Sequence, residues 1–298
     1  MKVFPRSFDY RLARDIGEAL AALADNPDAK ILAGGMSLIP MMKLRLLSPP
    51  VLVDIGRVPG LGEIAESAGG YEIGALVRHR DVAANPGLTA GATALSEAAS
   101  WTGDVQVRNR GTLCGALAHA DSAADQTAAV LALGGTLVAE SSAGRRTIAA
   151  DEFFVDAFTS ALQEAEILVG VRIPRAGHGE GSSYRKLGGR GGTDGFAIAG
   201  SAAWVRFEDS TVVDARVALT GVSTRPLLAV TSAAALVGTD GSTAAIQAAA
   251  ALAADDITLI ADLQASEDYK AHIARVLTER ALEAAVRRAM DTDEAGRA

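Results

Sequence analysis

Apolar positions recur at helical spacing over residues 15–24, where Ile16, Leu20 and Leu23 fall on one stripe. A turn at Asp25-Asn26-Pro27-Asp28 follows, then the short apolar run Lys30-Ile31-Leu32, which ends in two glycines. Residues 50–55 form a second β-branched run bounded by Pro and Gly, so the opening third reads as α/β. From about Gly60 the pattern changes to short strands joined by turns, among them residues 71–75, 136–139 and 167–173, with a helix over 92–99. Residues 176–181 read as a connection. Beyond it, residues 183–187 and 196–207 flank a Gly-rich loop and predict a hairpin, and residues 211–220 add a strand. Near the end, Ile273, Val276, Leu277, Ala281, Ala284 and Ala285 form a helical apolar stripe, with Glu279, Arg280, Arg287 and Arg288 largely off it. These shifts divide the chain into segments 1–57, 58–175 and 176–290, followed by a frayed tail over 291–298.

Composition narrows the function classes. A chain of 298 residues with 49% hydrophobic content can build a large core. Its net charge of −8, with basic residues scattered, argues against a nucleic-acid partner. No long uncharged apolar stretch predicts a membrane span, and the start has no apolar signal region, so a cytoplasmic location is expected. Cys114 is the one cysteine, which excludes an internal disulfide and a thiolate-ligated iron–sulfur cluster in this chain. His79, His119, His178 and His272 lack any paired spacing for zinc. No metal ligand set is expected.

Two small-residue segments carry the candidate chemistry. Gly34-Gly35-Met36-Ser37 directly follows a strand, and consecutive glycines expose backbone N–H groups able to cradle a phosphate. Pro40 suits the first turn of a helix. A ligand-free tight turn fits the glycines alone equally well. Residues 112–118 form the second segment, followed by Asp121 and Asp125, whose carboxylates suit ribose or ribityl hydroxyls. The competing reading is a helix start capped by Asp121 or Ser122. Cys114 reads as a packed thiol, and His119 as a structural or cofactor-adjacent imidazole. The loop over 188–195 fails the dinucleotide spacing, because Asp194 stands where the last glycine belongs and no helix follows.

Together these segments resemble a known family. Ala33-Gly34-Gly35-Met36-Ser37-Leu38-Ile39-Pro40-Met41-Met42-Lys43-Leu44-Arg45-Leu46 is similar to the A-G-G-x-S-L-I-P-x-M-K-L-R-L signature of the xanthine dehydrogenase and carbon monoxide dehydrogenase medium subunits. Residues 73–79, Ile-Gly-Ala-Leu-Val-Arg-His, resemble its I-G-A-L-T-R-H segment, and residues 109–125 resemble N-R-G-T-I-G-G-N-L-A-H-A-D-P-A-A-D. The resemblance implies an α+β fold: a two-subdomain FAD-binding domain of the vanillyl-alcohol-oxidase (PCMH) type, then a smaller α+β C-terminal domain of antiparallel sheet plus helices.

It also implies the site. Leu32, Ala33, Gly34, Gly35, Met36, Ser37 and Leu38 would wrap the FAD diphosphate. Thr112, Leu113, Cys114, Gly115 and Ala116 would form the second loop. Asp125 would bind FAD hydroxyls, with Leu168 near the flavin and Lys186 approaching it from the C-terminal domain. Ala75, Ala118 and Asp121 complete the set. Cys114 replaces a glycine of the pattern and Ala116 replaces an asparagine, and a cysteine in left-handed backbone would cost about 1 kcal/mol or more.

The implied role is a FAD-carrying electron-transfer subunit. Two [2Fe–2S] clusters would sit on a small partner subunit and the molybdenum cofactor on a large one, in a dimer of heterotrimers. No catalytic residue is expected here. The other classes are a stand-alone FAD oxidase, for which no base stands out, and a scaffold subunit with weakened FAD binding.

Overall fold

The computed structural model describes residues 4–189 and 195–297, with side chains described up to residue 292. Strand β1 (Asp9–Leu12), helix α1 (Ile16–Asp25), strand β2 (Lys30–Leu32), helix α2 (Leu38–Lys43) and strand β3 (Val51–Asp54) build the first unit. Strand β3 pairs in parallel with both of the others, giving the order β1-β3-β2. Helix α1 starts where Asp15 accepts a hydrogen bond from the Glu18 N–H at 2.8 Å, an N-terminal cap that satisfies one orphan donor. It buries Ala19, Leu20 and Ala22.

The second unit contains β4 (Ile64–Ser67) and β5 (Gly70–Gly74), then the helices α3 (His79–Ala84), α4 (Pro86–Gly91), α5 (Thr93–Ser100), α6 (Val105–Arg110), α7 (Leu113–His119) and α8 (Asp125–Ala132). Strands β6 (Thr136–Ser141) and β7 (Gly144–Ala149), helix α9 (Ala150–Phe153), the small hairpin of β8 (Phe154–Asp156) and β9 (Thr159–Ser160), and strand β10 (Ile167–Ile173) complete it. The main sheet is antiparallel in the order β4-β5-β10-β6-β7. Central β10 is buried at every position except Arg172, which is why it reads as an unbroken apolar run. One core spans both units, joining Val51, Val53 and Ile55 to Ile73, Leu95, Leu117 and Val171.

The third unit is a meander of β11 (Glu180–Gly188), β12 (Ala197–Glu208), β13 (Thr211–Thr220) and β14 (Leu227–Leu228), with helices α10 (Val230–Leu236), α11 (Thr243–Ala251) and α12 (Glu267–Arg297). Strands β11 and β12 form the expected hairpin. Of the Gly-rich loop between them, positions 190–194 lie outside the described residues. Helix α12 lies across β11 and β12, and its backbone stays helical to Arg297, beyond the boundary at 290 expected from the sequence. Its buried face comprises Ala274, Leu277, Thr278, Ala281, Leu282, Ala285 and Ala289, leaving Ile273 and Val276 at the flank. The structure is therefore α+β throughout. Among the described residues no helix is long and apolar enough to cross a membrane.

Helix α12 approaches β11 at Gly181, where an added Cβ would stand 2.5 Å from the Ala289 nitrogen and would overlap the Ala285 carbonyl oxygen. Both obstacles are backbone, so neither can rotate away. Gly181→Ala is expected to cost about 1–3 kcal/mol by overpacking, read as a lowered melting temperature.

Candidate cofactor site where two glycine loops meet

The first loop leaves β2 at Leu32, whose carbonyl accepts from the Ile55 N–H at 3.0 Å. The backbone then turns through Gly35 at φ +74°, a conformation that disfavours any residue with a Cβ. The Gly35 and Ser37 carbonyls accept from the N–H groups of Ile39 and Met41, starting α2 with Pro40 in its first turn. Among the described residues, the N–H groups of Gly34, Gly35, Met36 and Ser37 donate to nothing in the chain. Leu32, Ala33, Met36 and Leu38 flank this row half-buried, and Ser37 is exposed.

The second loop is the junction of α6 and α7. Thr112 caps α7, its hydroxyl accepting from the Gly115 N–H at 3.2 Å. Segment 77–79 holds this junction as a strap: the Leu113 N–H donates to the Val77 carbonyl at 3.0 Å and the His79 N–H to the Gly111 carbonyl at 3.1 Å. The two loops touch. A Cβ on Gly34 would overlap the Arg110 carbonyl oxygen and lie 2.9 Å from the Gly111 α-carbon. Only bare backbone fits at this contact, and the unpartnered N–H groups of residues 34–37 lie beside it. That arrangement fits a diphosphate, whose oxygens are acceptors only.

Residues 113–119, expected as an open loop, are helical, so Cys114 has ordinary helical backbone and the feared left-handed strain is absent. Its side chain turns into the core, 2% exposed, with Sγ 4.0 Å from the Ile73 carbonyl oxygen. Burial pushes the thiol pKa up to about 12, so no thiolate forms at neutral pH. Gly115 faces outward, and Ala116 and Ala118 are half-buried on α7. Burial lowers the pKa of His119 against the opposing pull of Asp121, and its ring meets Phe158 at 5.1 Å between centroids.

Asp121 is not a helix cap: its carboxylate accepts from the Ala123 N–H at 2.9 Å, shaping a turn, and α8 starts after Ala124 without a side-chain cap. Asp125 needs a larger correction. It is buried, and its two oxygens accept from the Tyr184 hydroxyl at 2.6 Å and the Lys186 ammonium at 2.9 Å. Lys186 also donates to the carbonyls of Trp101 at 2.9 Å and Gly195 at 2.8 Å, so all three of its protons are taken. These two residues thus bond each other across the domain boundary, and neither presents a free group to a cofactor. Burial raises the Asp125 pKa to about 6 while Lys186 and Tyr184 pull it down, so the carboxylate is ionised at neutral pH. Ala75 and Leu168 are buried in the core, and the Ala75 N–H donates to the Val169 carbonyl at 3.0 Å.

Several residues went unread in the sequence. Glu97 on α5 accepts from the Arg288 guanidinium at 2.6 Å, the Tyr184 N–H at 2.7 Å and the Ser183 hydroxyl at 3.1 Å. Burial pushes its pKa up, but Arg288, the Tyr184 N–H and Arg185 outweigh that and hold it below the ordinary value. His79 is buried with Nδ1 at 3.2 Å from the Gln126 amide nitrogen, which also contacts the Thr102 hydroxyl. Burial, with Arg108 nearby, lowers the His79 pKa to about 4. His79 stands within the quoted 73–79 segment, which was the one available signal.

Two stability experiments follow. Asp125→Asn and Lys186→Met should each cost about 3–5 kcal/mol in urea unfolding, because each leaves a buried partner uncompensated, and the double variant should lose less than their sum. His79 is neutral in the folded chain below its unfolded pKa, so its contribution is intact above about pH 6.5 and falls away as pH drops towards 4. The melting-temperature difference between wild type and His79→Phe should narrow across that window.

Residues 6–176 match the family described as the FAD binding domain in molybdopterin dehydrogenase, and residues 182–285 match the CO dehydrogenase flavoprotein C-terminal domain. The carbon monoxide dehydrogenase medium chain of Hydrogenophaga pseudoflava is 39% identical over 284 residues, covering 95% of this chain and 98% of that one. The 6-hydroxypseudooxynicotine dehydrogenase complex subunit alpha of Paenarthrobacter nicotinovorans is 37% identical over 292 residues, covering 97% and 98%. Among solved structures, the Hydrogenophaga pseudoflava carbon monoxide dehydrogenase lacking the Mo-pyranopterin moiety of its cofactor matches with a TM-score of 0.91 at 40% identity, covering 96% of this chain and 99% of that one. Quinoline 2-oxidoreductase from Pseudomonas putida 86 matches with a TM-score of 0.90 at 33% identity, over 96% and 99%. The chain is an oxidoreductase subunit and belongs to the family of FAD-binding medium subunits of molybdenum-containing dehydrogenases.

Proposed function

We propose that this chain is the electron-transfer subunit of a heterotrimeric molybdenum dehydrogenase, linking iron–sulfur clusters on a partner to an external acceptor. The observation that supports the FAD placement is the close approach of Gly34 to Gly111, with the N–H groups of residues 34–37 unpartnered beside it. In this reading Leu32, Ala33, Gly34, Gly35, Met36, Ser37 and Leu38 hold the diphosphate. Thr112, Leu113, Gly115, Ala116, Ala118 and Asp121 line the second wall. Cys114, Ala75 and Leu168 support it from the core, and Asp125 and Lys186 fix the C-terminal domain against it. Bound FAD would supply the ability to take electrons singly and deliver them in pairs.

The chain's own residues bind and orient. Gly35 turns the backbone at φ +74°, leaving the N–H groups of residues 34–37 without chain partners, and Thr112 caps the α7 start. Cys114 is directed into the core, so of the two departures that favour a scaffold that has lost FAD, the Ala116 replacement of an asparagine is the one left at the loop surface. A chain with one cysteine cannot hold a four-thiolate cluster. The reading therefore assigns two [2Fe–2S] clusters to a small subunit and the molybdenum cofactor to a large one, in a cytoplasmic dimer of heterotrimers. The relatives are named for carbon monoxide, a nicotine derivative and quinoline while sharing this fold, which supports substrate selection outside this chain.

The purified chain or complex should show flavin absorption and release FAD on denaturation; a colourless protein with no releasable FAD overturns the proposal. Gly35→Asp, which adds a carboxylate and a Cβ at φ +74°, should abolish FAD retention. Unchanged FAD content in that variant refutes the placement of the diphosphate.

A further inference from the structure

We propose that His79 is a positioning residue for the cofactor: its imidazole is the wedge that fixes where Gly111 stands against Gly34, and so sets the spacing of the two loops. The proposal rests on the FAD reading above. A Cβ on Gly111 would sit 2.9 Å from His79 Cδ2, 3.0 Å from the Val107 carbonyl oxygen and 3.1 Å from His79 Nε2, so the ring edge supplies two of the three nearest atoms. Gly111 is in turn within contact of Gly34, the first glycine of the diphosphate loop. The strap at 77–79 joins the same two segments through the His79 N–H to Gly111 carbonyl bond and the Arg78 guanidinium to Asn109 carbonyl bond at 3.0 Å. Gly111 has φ −60°, which any residue adopts; space alone demands glycine there.

The ring cannot swing away. Nδ1 meets the Gln126 amide on fully buried α8, and Gln126 is held by the Thr102 hydroxyl, itself donating to the Ala98 carbonyl at 2.9 Å. Gln126 Nε2 thus bridges the imidazole and the Thr102 hydroxyl, while its Oε1 has no partner among the described residues. Burial, and then the nearby Arg108 whose guanidinium donates to the Thr102 and Gly103 carbonyls, disfavour a charged ring and keep the wedge neutral.

The test is FAD affinity of the full chain, titrated well below its melting temperature. His79→Ala should weaken FAD by about tenfold or more, because loosening a binding loop misplaces its donors. His79→Phe, which keeps a ring, should stay within about threefold of wild type. Leu236→Ala, a truncation on α10 in the separate core of the C-terminal unit, should lower the melting temperature while leaving affinity unchanged. Gly111→Ala should weaken FAD by colliding with the ring, and adding His79→Ala should restore part of that loss by clearing the space. Additive losses in the double variant, or wild-type affinity in either single alanine variant, overturn the wedge while leaving the FAD reading standing. Failure of the wild-type chain to bind FAD overturns both. If His79→Ala does not fold, His79→Val takes its place in the same cycle with Gly111→Ala, and additive losses there overturn the wedge.

Discussion

Three consecutive polar side chains, Asp125, Gln126 and Thr127, open a helix that is buried at every position, and satisfying them organises the rest of the molecule. Buried polar groups must find partners inside the protein or the fold loses free energy for each. Here the three look in different directions. Asp125 reaches Tyr184 and Lys186 on the C-terminal sheet, Gln126 reaches His79 behind the second loop, and Thr127 reaches Thr220 at 3.3 Å on β13. The turn preceding the helix is held as well. The Ser122 carbonyl accepts from the Gly221 N–H at 2.6 Å, and the Ser122 and Ala124 carbonyls both accept from the Thr220 hydroxyl. One helix start therefore ties the C-terminal domain to the second loop.

Glu97 adds a second tie of the same kind. It lies on α5, yet its donors come from β11 and α12. Arg185 joins the same carboxylate at 3.1 Å and stacks over the Trp101 ring, which in turn meets Tyr184. Such charges tolerate burial because each has several charge-assisted partners. The domain boundary is consequently a bonded interface and not a flexible linker, and the hairpin base at Gly195 is fixed to it through Lys186.

The sequence made some of this readable and hid the rest for physical reasons. Strands β2, β3 and β10 and helix α1 announce themselves by apolar runs and by the Asp15 cap, all local signals. Helices α3, α4, α6 and α7 do not, because helices of six or seven residues rich in Ala, Gly and Arg show too few turns for a period to emerge. The Gly34-Gly35 pair was legible as a tight turn after a strand. The two glycines nonetheless serve different needs: Gly35 supplies a positive φ, whereas Gly34 supplies room for the Arg110 carbonyl. Only the first is a property of the local chain. The Asp125–Lys186 bond spans 61 positions, so from sequence each looked like a group aimed at a ligand. Cys114 looked anomalous because its helix was unseen.

That cysteine has a practical consequence. A chain whose one thiol is sealed in the core, with its pKa near 12, offers alkylating reagents nothing to attack. Any cysteine introduced on the surface becomes a unique chemical handle without first removing the natural one. Spin labels or fluorophores attached singly around the two loops can then report which faces are covered when partner chains assemble, with no background from the native residue.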